Sequence, residues 1–205
     1  MFVRTTGCNL RCWFCDTPYT SFRAEGPVLD WRDVLQDVLA WDCTHVVLTG
    51  GEPLLQPEIV PLAEALRSEQ RIVTIETAGS VYRPVAADLM SISPKLSNSK
   101  PHHQFRWIER HERDRNRPEV IHQLIEETAY QLKFVVDQPA DLDEIRTYLE
   151  QFPQVVPDRI WLMPQGISKE QLAEKAIWLE PAAQELGYRF CPRRHIELFG
   201  SRRGT

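Results

Sequence analysis

The sequence at residues 2–17, FVRTTGCNLRCWFCDT, joins a short apolar run to a compact cysteine motif, and the interpretation of the whole chain starts from it. Residues 2–5 have the composition of a β-strand, and Cys8, Cys12 and Cys15 follow in a C-x3-C-x2-C pattern. A closed zinc site normally takes four ligands, and the two other cysteines of the chain are isolated in sequence. The pattern therefore favours an iron–sulfur cluster with one iron open to a small molecule, over a zinc knuckle or three incidental thiols.

A second motif, TGGEP at residues 49–53, directly follows a buried apolar run at residues 45–49. Gly50 and Gly51 allow the backbone to approach a ligand closely, and Glu52 can accept a hydrogen bond from an ammonium group. A plain strand-to-helix turn uses the same residue types. The motif gains its meaning from the cysteines that precede it.

Strand-like and helix-like segments alternate along the chain. After a helix-capping Asp30, for example, apolar side chains recur at helical spacing at Trp31, Val34, Leu35, Val38 and Leu39. Such alternation implies parallel strands joined by crossover helices. We count about six or seven such strands, too few for an eight-stranded barrel. We therefore predict one α/β domain over residues 1–205, folded as a partial, open (β/α) barrel.

The unusual polar motifs all follow predicted strands, and they lie at residues 8–17, 49–53, 76–79, 93–95 and 163–166. The carboxyl ends of parallel strands meet at one edge of a sheet, which is where sites form in α/β folds. We expect these motifs to converge there.

Two segments carry more specific structural expectations. A helix opened by Ser168 is expected to break or kink before Pro181 and to end at Gly187, because proline lacks an amide hydrogen. The basic stretch at about residues 100–118 is interpreted as a solvated surface excursion or a mobile loop. Its three histidines at positions 102, 103 and 111 find no partner in the sequence that would complete a metal site.

Composition and charge exclude several classes of protein. The apolar content of 42% and charged content of 26% are those of an ordinary globular domain, without a membrane-length apolar run or a signal peptide. Five cysteines, three of them in one loop, predict a reducing cytoplasmic setting rather than a disulfide framework. A net charge of −5 argues against nucleic acid as the main partner, and we expect no membrane partner.

Together the motifs resemble the radical S-adenosylmethionine (SAM) superfamily, through the cysteine spacing and Gly-Gly-Glu-Pro. Within it, the chain resembles the 7-carboxy-7-deazaguanine synthase family over nearly its whole length. The narrower resemblance is carried by Cys15-Asp16-Thr17 and, in order, by residues 76–79, 91–95, 130–134, 163–166 and 195–200.

This resemblance implies a lyase of the radical SAM type. The three cysteines would hold a [4Fe-4S] cluster whose open iron chelates SAM and whose electron splits SAM to a 5′-deoxyadenosyl radical. Enzymes of the family convert 6-carboxy-5,6,7,8-tetrahydropterin to 7-carboxy-7-deazaguanine with loss of ammonia, in queuosine and 7-deazapurine biosynthesis. They also use Mg²⁺, and related enzymes are homodimers. An electron donor such as flavodoxin or ferredoxin is implied.

The resemblance also implies roles for individual positions. Thr17 matches a hydroxyl ligand of Mg²⁺, although a threonine there also suits a turn or a helix cap. SAM contacts are implied for Phe14, Asp16, Gly50, Gly51, Glu52, Gly79, Ser93, Pro94, Lys95 and Gln165. Substrate contacts are implied for Arg4, Thr77 and Thr205. No catalytic dyad is expected, because the radical abstracts the hydrogen.

Two other functions compete with this one. A glycyl-radical-enzyme activase shares the compact cysteine motif but acts on a protein. It would not need the threonine at Thr17, the Ser-Pro-Lys turn or the closing segment at residues 195–200. A non-enzymatic, metal-bearing binding module built on the basic stretch is the second alternative.

The start of the chain carries one further expectation. Synthases of this family begin with a segment containing a Gln-Gly-Glu-Gly-like motif that contacts the substrate. No such motif precedes Phe2. We expect a natural first strand to be missing from this chain, so that one wall of the substrate pocket is open.

Overall fold

Seven parallel strands form one sheet in the computed structural model, which describes residues 1–200 and 202–203. The strands lie side by side in the order in which they occur in the chain. They are β1 (Phe2–Thr5), β2 (His45–Gly50), β3 (Ile72–Thr77), β4 (Leu89–Ile92), β5 (Tyr130–Val136), β6 (Ile160–Pro164) and β7 (Arg189–Phe190). This confirms the predicted α/β class and the partial, open barrel, and the seven strands agree with the count of about six or seven.

Helices lie in every connection between neighbouring strands except that between β3 and β4, as expected for parallel crossovers. They are α1 (Pro18–Ser21), α2 (Trp31–Leu39), α3 (Ile59–Ser68), α4 (Ile108–Arg115), α5 (Pro118–Glu127), α6 (Asp141–Leu149), α7 (Lys169–Glu185) and α8 (Arg194–Phe199). The predicted cap of α2 is present, because the Asp30 carboxylate accepts the amide of Arg32 at 2.8 Å. None of the helices in the described part of the chain is long and apolar enough to span a membrane.

The core lies between the sheet and its crossover helices. Val46, Leu48, Val73 and Ile75 of neighbouring strands have no exposed surface, and neither has Phe134 of β5. β-branched residues dominate these strands because they suit a sheet that is buried on both faces. Each such side chain contributes roughly 1.5–3 kcal/mol by leaving water.

The strand register brings the carboxyl ends of neighbouring strands to one level. Thr5 pairs with Gly50, and Thr77 pairs with Ile92. Val136 pairs with Pro164. The loops that follow β1 to β6 therefore leave the sheet at one edge, as the distribution of polar motifs predicted.

The basic stretch differs from its interpretation as a loop. It contains helix α4, in which His111 and Asp114 are buried. The sequence of this helix, IERHERDR, is so polar that it lacks the apolar periodicity by which buried helices are recognised. Asp114 accepts hydrogen bonds from Arg110 and Arg113 of the same helix, whereas His111 contacts the cysteine loop, as described below. Helices α1 and α8 were likewise not predicted.

Of the two alternatives expected before Pro181, a break is wrong, because α7 continues through Pro181 to Glu185. The helix ends just before Gly187, as expected, and Gly187 has a positive φ of 70°. The side chains of Leu179 and Ala183, on either side of Pro181 in the helix, are fully buried against the core. Their packing holds the helical path across a residue that cannot donate the usual backbone hydrogen bond. Tertiary contact thus overrides the local preference.

We predict that Pro181→Ala raises the free energy of unfolding by about 1–3 kcal/mol. The substitution restores a helical amide and removes the ring's clash, while the greater freedom of the unfolded chain offsets part of the gain. Denaturant unfolding measures the change. Glu180→Ala, an exposed neighbour in the same helix, is the control and should change stability by no more than about 0.5 kcal/mol. A Pro181→Ala protein no more stable than the parent would contradict this account of α7.

Candidate active site

The cysteine loop, residues 7–17, is tied to two other elements at the carboxyl edge of the sheet. The Gly7 amide donates to the carbonyl of Thr20 in α1 at 2.7 Å. The Glu52 amide donates to the carbonyl of Gly7 at 2.9 Å, and that of Gly51 donates to the carbonyl of Thr5 at 3.2 Å. The cysteine loop and the Gly-Gly-Glu-Pro turn therefore form one unit.

Close backbone approach explains the glycines of that unit. A Cβ atom on Gly51 would lie 2.2 Å from the carbonyl oxygen of Gly7, and one on Gly50 would lie 2.2 Å from that of Thr5. Neither position has room for a side chain. Gly79 adds a conformational requirement, because its φ is +68° and a Cβ there would lie 2.7 Å from Ile121.

The three clustered cysteines differ in burial, since Cys12 is buried and Cys8 and Cys15 are partly exposed. All three are free thiols. Burial first, and then negative charge on the other cysteines of the loop, raise the pKa of Cys8 to about 11 and that of Cys12 to about 12. Thiols in such a place lose their protons only in exchange for a strong positive charge, such as iron supplies.

The donor set fits an iron–sulfur cluster better than a single metal ion. Among the described residues, no three His, Cys, Asp or Glu side chains converge on one metal-ion position. A four-iron cluster does not require that convergence, because each thiolate binds a different iron atom. Cys43 precedes β2 at the opposite end of the sheet, and Cys191 follows β7 near Lys133 and Glu76.

Glu52 connects the motifs that follow β2 and β3. Its carboxylate has no exposed surface, and its Oε1 accepts the Leu54 amide at 3.2 Å and the Thr77 hydroxyl at 2.8 Å. Its Oε2 accepts the Ala78 amide at 2.9 Å. Burial raises the pKa of Glu52, and these donors oppose the rise.

The motif after β4 joins the same network. The Ser93 amide donates to the carbonyl of Thr77 at 2.7 Å, and the Gly79 amide donates to the Thr77 hydroxyl at 3.0 Å. The hydroxyl of Thr77, a residue predicted to contact substrate, thus donates to Glu52 and accepts from Gly79. Four predicted site residues are brought together here, namely Glu52, Thr77, Gly79 and Ser93.

Lys95 lies within the electrostatic field of the cysteines and of Glu52. Its ammonium donates to the carbonyl of Ser93 at 2.6 Å and to the Ser93 hydroxyl at 2.8 Å, and the intervening Pro94 is buried. Burial lowers the pKa of Lys95, while negative charge on Cys12, Cys8 and Glu52 opposes that effect. The Ser-Pro-Lys turn therefore places a cation beside the thiols.

Asp16 connects the cysteine loop to the turn after β6. The Arg193 guanidinium, only 5% exposed, donates to the Asp16 carboxylate and to the carbonyl of Gly166 at 3.1 Å. In that turn, Gln165 is buried and its Oε1 accepts the Lys175 ammonium at 2.9 Å. Arg193 was not predicted as a site residue.

Thr17 and Phe14 flank the third cysteine. Thr17 occupies the N-cap position of α1, but its side chain makes no capping hydrogen bond. Its Oγ1 lies 3.8 Å from the Cys15 sulfur and 3.4 Å from the Thr20 hydroxyl. The Phe14 ring packs edge-on against Trp13, with ring centroids 5.5 Å apart.

A further group of polar side chains, Glu76, Lys133 and Thr49, lies at the same edge of the sheet. The sequence analysis did not predict that these side chains contact each other. The Glu76 carboxylate accepts the Lys133 ammonium at 3.0 Å and the Thr49 hydroxyl at 3.1 Å. Burial alone would raise the pKa of Glu76, but Lys133, Thr49 and the charge of Arg4 together hold it below the usual value. The available signal was a charged residue inside each of two otherwise apolar strands.

Arg4 and His195 belong to the surroundings of this group. Burial lowers the pKa of His195, and the positive charges of Arg193 and Arg4 lower it further, while Glu76 acts in the opposite direction. Thr205, predicted to contact substrate, lies outside the described residues. Nearby in sequence, Arg203 pairs with Glu25 at 2.8 Å.

Comparisons with known proteins place these features in a family. The sequence profile of the Radical SAM superfamily matches residues 2–97. A 7-carboxy-7-deazaguanine synthase from Rhodopirellula baltica is 48% identical over 208 residues, covering 100% of this chain and 80% of that protein. Another from Halobacterium salinarum is 37% identical and covers 97% of this chain and 82% of its own.

Two solved structures bear on the fold. The crystal structure of QueE from Escherichia coli superposes with a TM-score of 0.58 at 21% identity, covering 94% of this chain and 84% of that one. Streptococcus suis SuiB bound to S-adenosylmethionine gives a TM-score of 0.64 at 15% identity, covering 94% of this chain and 49% of that one. The chain belongs to the 7-carboxy-7-deazaguanine synthase family of the radical SAM superfamily.

Proposed function

We propose that this chain is a radical SAM lyase that converts 6-carboxy-5,6,7,8-tetrahydropterin to 7-carboxy-7-deazaguanine with loss of ammonia. The single observation that carries the proposal is the union of four separate motifs at one sheet edge, in a chain 48% identical to a protein named for this product. The same name is carried by full-length relatives at 37% and 32% identity, which does not favour a glycyl-radical activase.

Cys8, Cys12 and Cys15 would hold a [4Fe-4S] cluster, and the buried side chain of Leu10 in the same loop would limit the access of water to it. When bound, the cluster and SAM together supply the radical that abstracts hydrogen from the substrate. Lys95 would offset the negative charge of the thiolates, since its ammonium already lies in their field.

The Gly-Gly-Glu-Pro turn would bind the methionine end of SAM. Oε2 of Glu52 accepts only the Ala78 amide, so it retains capacity for a hydrogen bond from an ammonium group. Thr77 would act by holding the other carboxylate oxygen of Glu52. Gly50, Gly51 and Gly79 would let the loops around the ligand pack closely against each other. Ser93, Pro94, Phe14, Asp16 and Gln165 would complete the walls.

The polar side chains of Arg4, Glu76 and Lys133 would bind the pterin. The guanidinium of Arg4 suits the substrate carboxylate, and the Glu76 carboxylate suits the N–H groups of the aminopyrimidinone edge. Lys133 would keep Glu76 ionised, consistent with the lowered pKa of that carboxyl. Thr17, whose hydroxyl caps no helix amide, would ligate Mg²⁺ beside the substrate carboxylate. A one-electron donor such as flavodoxin or ferredoxin, in a reducing cytoplasm, would complete the system.

The direct test is anaerobic reconstitution with iron and sulfide, followed by addition of SAM, Mg²⁺, a chemical reductant and the tetrahydropterin. A product with the mass of 7-carboxy-7-deazaguanine supports the proposal. Cleavage of SAM with no conversion of the pterin would refute the substrate while leaving the radical SAM chemistry in place.

We predict that Cys8→Ala, Cys12→Ala or Cys15→Ala abolishes the cluster and all SAM cleavage, because each thiolate binds a separate iron. Iron and sulfide content, with the visible absorbance of the cluster, measures the loss. Cys43→Ala is the matched control at the opposite end of the sheet and should retain both properties. Normal iron content in any of the three variants would remove the cluster assignment.

We predict that Glu52→Gln weakens SAM binding by about 10- to 100-fold. The variant keeps the size of the side chain but loses the charged acceptor, and a hydrogen bond to a charged group contributes about 1.5–3 kcal/mol. Calorimetric titration of the reconstituted protein gives the affinity, with exposed Glu58→Gln as the control. Unchanged affinity would exclude Glu52 as the ammonium acceptor.

We predict that Thr17→Ala retains the cluster and SAM binding but loses the stimulation of turnover by Mg²⁺, because a methyl group cannot ligate a hard cation. Initial rates across a Mg²⁺ titration measure the effect. Thr17→Ser restores a hydroxyl and should recover the response. The metal assignment fails if the alanine variant responds to Mg²⁺ as the parent does.

A further inference from the structure

The segment at residues 98–111 forms hydrogen bonds with the cysteine loop on both sides of Cys12, a contact that we call the clasp. The Arg11 amide donates to Nδ1 of His111 at 3.1 Å. The Trp13 amide donates to the carbonyl of Ser99 at 3.3 Å, and the Trp13 indole donates to the carbonyl of Asn98 at 2.6 Å. The residues immediately before and after Cys12 are therefore held by a part of the chain about one hundred residues away, since the Arg11 contact spans 100 positions.

His111 is the centre of this clasp. The side chain has no exposed surface, and both ring nitrogens have partners. Because Nδ1 accepts the Arg11 amide, the ring proton of the neutral form lies on Nε2, which donates to the Ser99 hydroxyl at 3.0 Å. That hydroxyl donates in turn to the carbonyl of Leu96 at 2.6 Å. Burial lowers the pKa of His111 to about 4, so this arrangement persists at neutral pH.

The position of the Arg11 amide matters for a cluster on this loop. Arg11 lies between Cys8 and Cys12, and backbone N–H groups that donate to cluster sulfurs raise the reduction potential. His111 occupies this amide and so fixes its direction. The Arg11 side chain strengthens the arrangement, since its guanidinium donates to the carbonyl of Cys8 at 2.8 Å and lies 4.1 Å from the centre of the Trp107 ring.

We propose that His111 is a positioning residue of the cluster site, whose imidazole fixes the Arg11 amide so that the three thiolates keep one arrangement and that amide stays away from the cluster. The inference rests on the proposed [4Fe-4S] site. It gives a role to the basic stretch at residues 100–118, which brings α4 and its histidine against the cysteine loop.

Two conservative variants separate this role from ordinary packing. His111→Asn places its side-chain carbonyl near the position of Nδ1, where it can accept the Arg11 amide. His111→Gln places its amide near Nε2, where it can donate to Ser99, but it leaves the Arg11 amide without an acceptor. Both remove the ring and introduce a polar side chain, so a packing role would affect both. His122→Ala, at a histidine that packs on Phe152, is the control for loss of an imidazole elsewhere.

The readouts are iron retention against a chelator and the reduction potential of the reconstituted cluster. For His111→Gln we expect about 10- to 100-fold weaker retention of iron, the usual effect of losing an outer hydrogen-bond partner, and a higher potential. His111→Asn and His122→Ala should stay close to the parent protein on both. Thermal unfolding of the cluster-free proteins shows that each variant is folded.

The results for the two His111 variants decide whether His111 is a positioning residue. Parent-like retention and potential in His111→Gln would overturn the inference, and so would equal losses in the Asn and Gln variants. These outcomes leave the proposed function untouched. Conversely, a parent protein that binds its cluster but makes no deazaguanine product would refute the proposed substrate without changing the His111 result.

Discussion

A buried carboxylate with partners on two different loops is the constraint on which the site depends. Removing the charge of Glu52 from water costs several kcal/mol, and only hydrogen bonds can offset that cost. Its donors come from its own turn and from the loop after β3, and Thr77 extends the contact to the turn after β4. These three loops are consequently fixed relative to each other. The cysteine loop is fixed as well, through the backbone contacts of Gly7 and Gly51.

The polar side chains of the site form two groups, which are carried by different strands and loops. The loops after β1, β2 and β4 carry the thiols, Glu52 and Lys95, which suit a cofactor with an ammonium group and a soft metal. Toward β3 and β5 lies the ion pair of Glu76 and Lys133, on which Arg4 also acts. Arg193 links the cysteine loop to the turn after β6, because it donates to the Asp16 carboxylate and to the carbonyl of Gly166. Both halves occupy one edge because every strand is parallel and in chain order.

The sequence was sufficient for the fold class and for the motifs at the strand ends, because apolar periodicity and short glycine-rich turns are local signals. It was not sufficient for contacts between residues that are distant in the chain. The residues around His111 in the sequence do not indicate that its ring contacts Arg11, 100 positions away. Because α4 is polar, its sequence also does not indicate that His111 is buried. The pairing of Glu76 with Lys133 across 57 positions is of the same kind. At Pro181 the local rule was outweighed by the packing of Leu179 and Ala183.

The distances in sequence across the cysteine loop have a consequence for the order of events during synthesis. The cysteines leave the ribosome first, whereas the partners of their loop lie at His111 and, across 177 positions, at Arg193. At about 5–20 residues per second, the interval before Arg193 is made is on the order of 10–40 s. During that time the nascent loop lacks these hydrogen bonds, and its thiols are not yet enclosed by the fold. Those thiols are then most open to oxidants, and cluster assembly in the finished geometry has to follow translation.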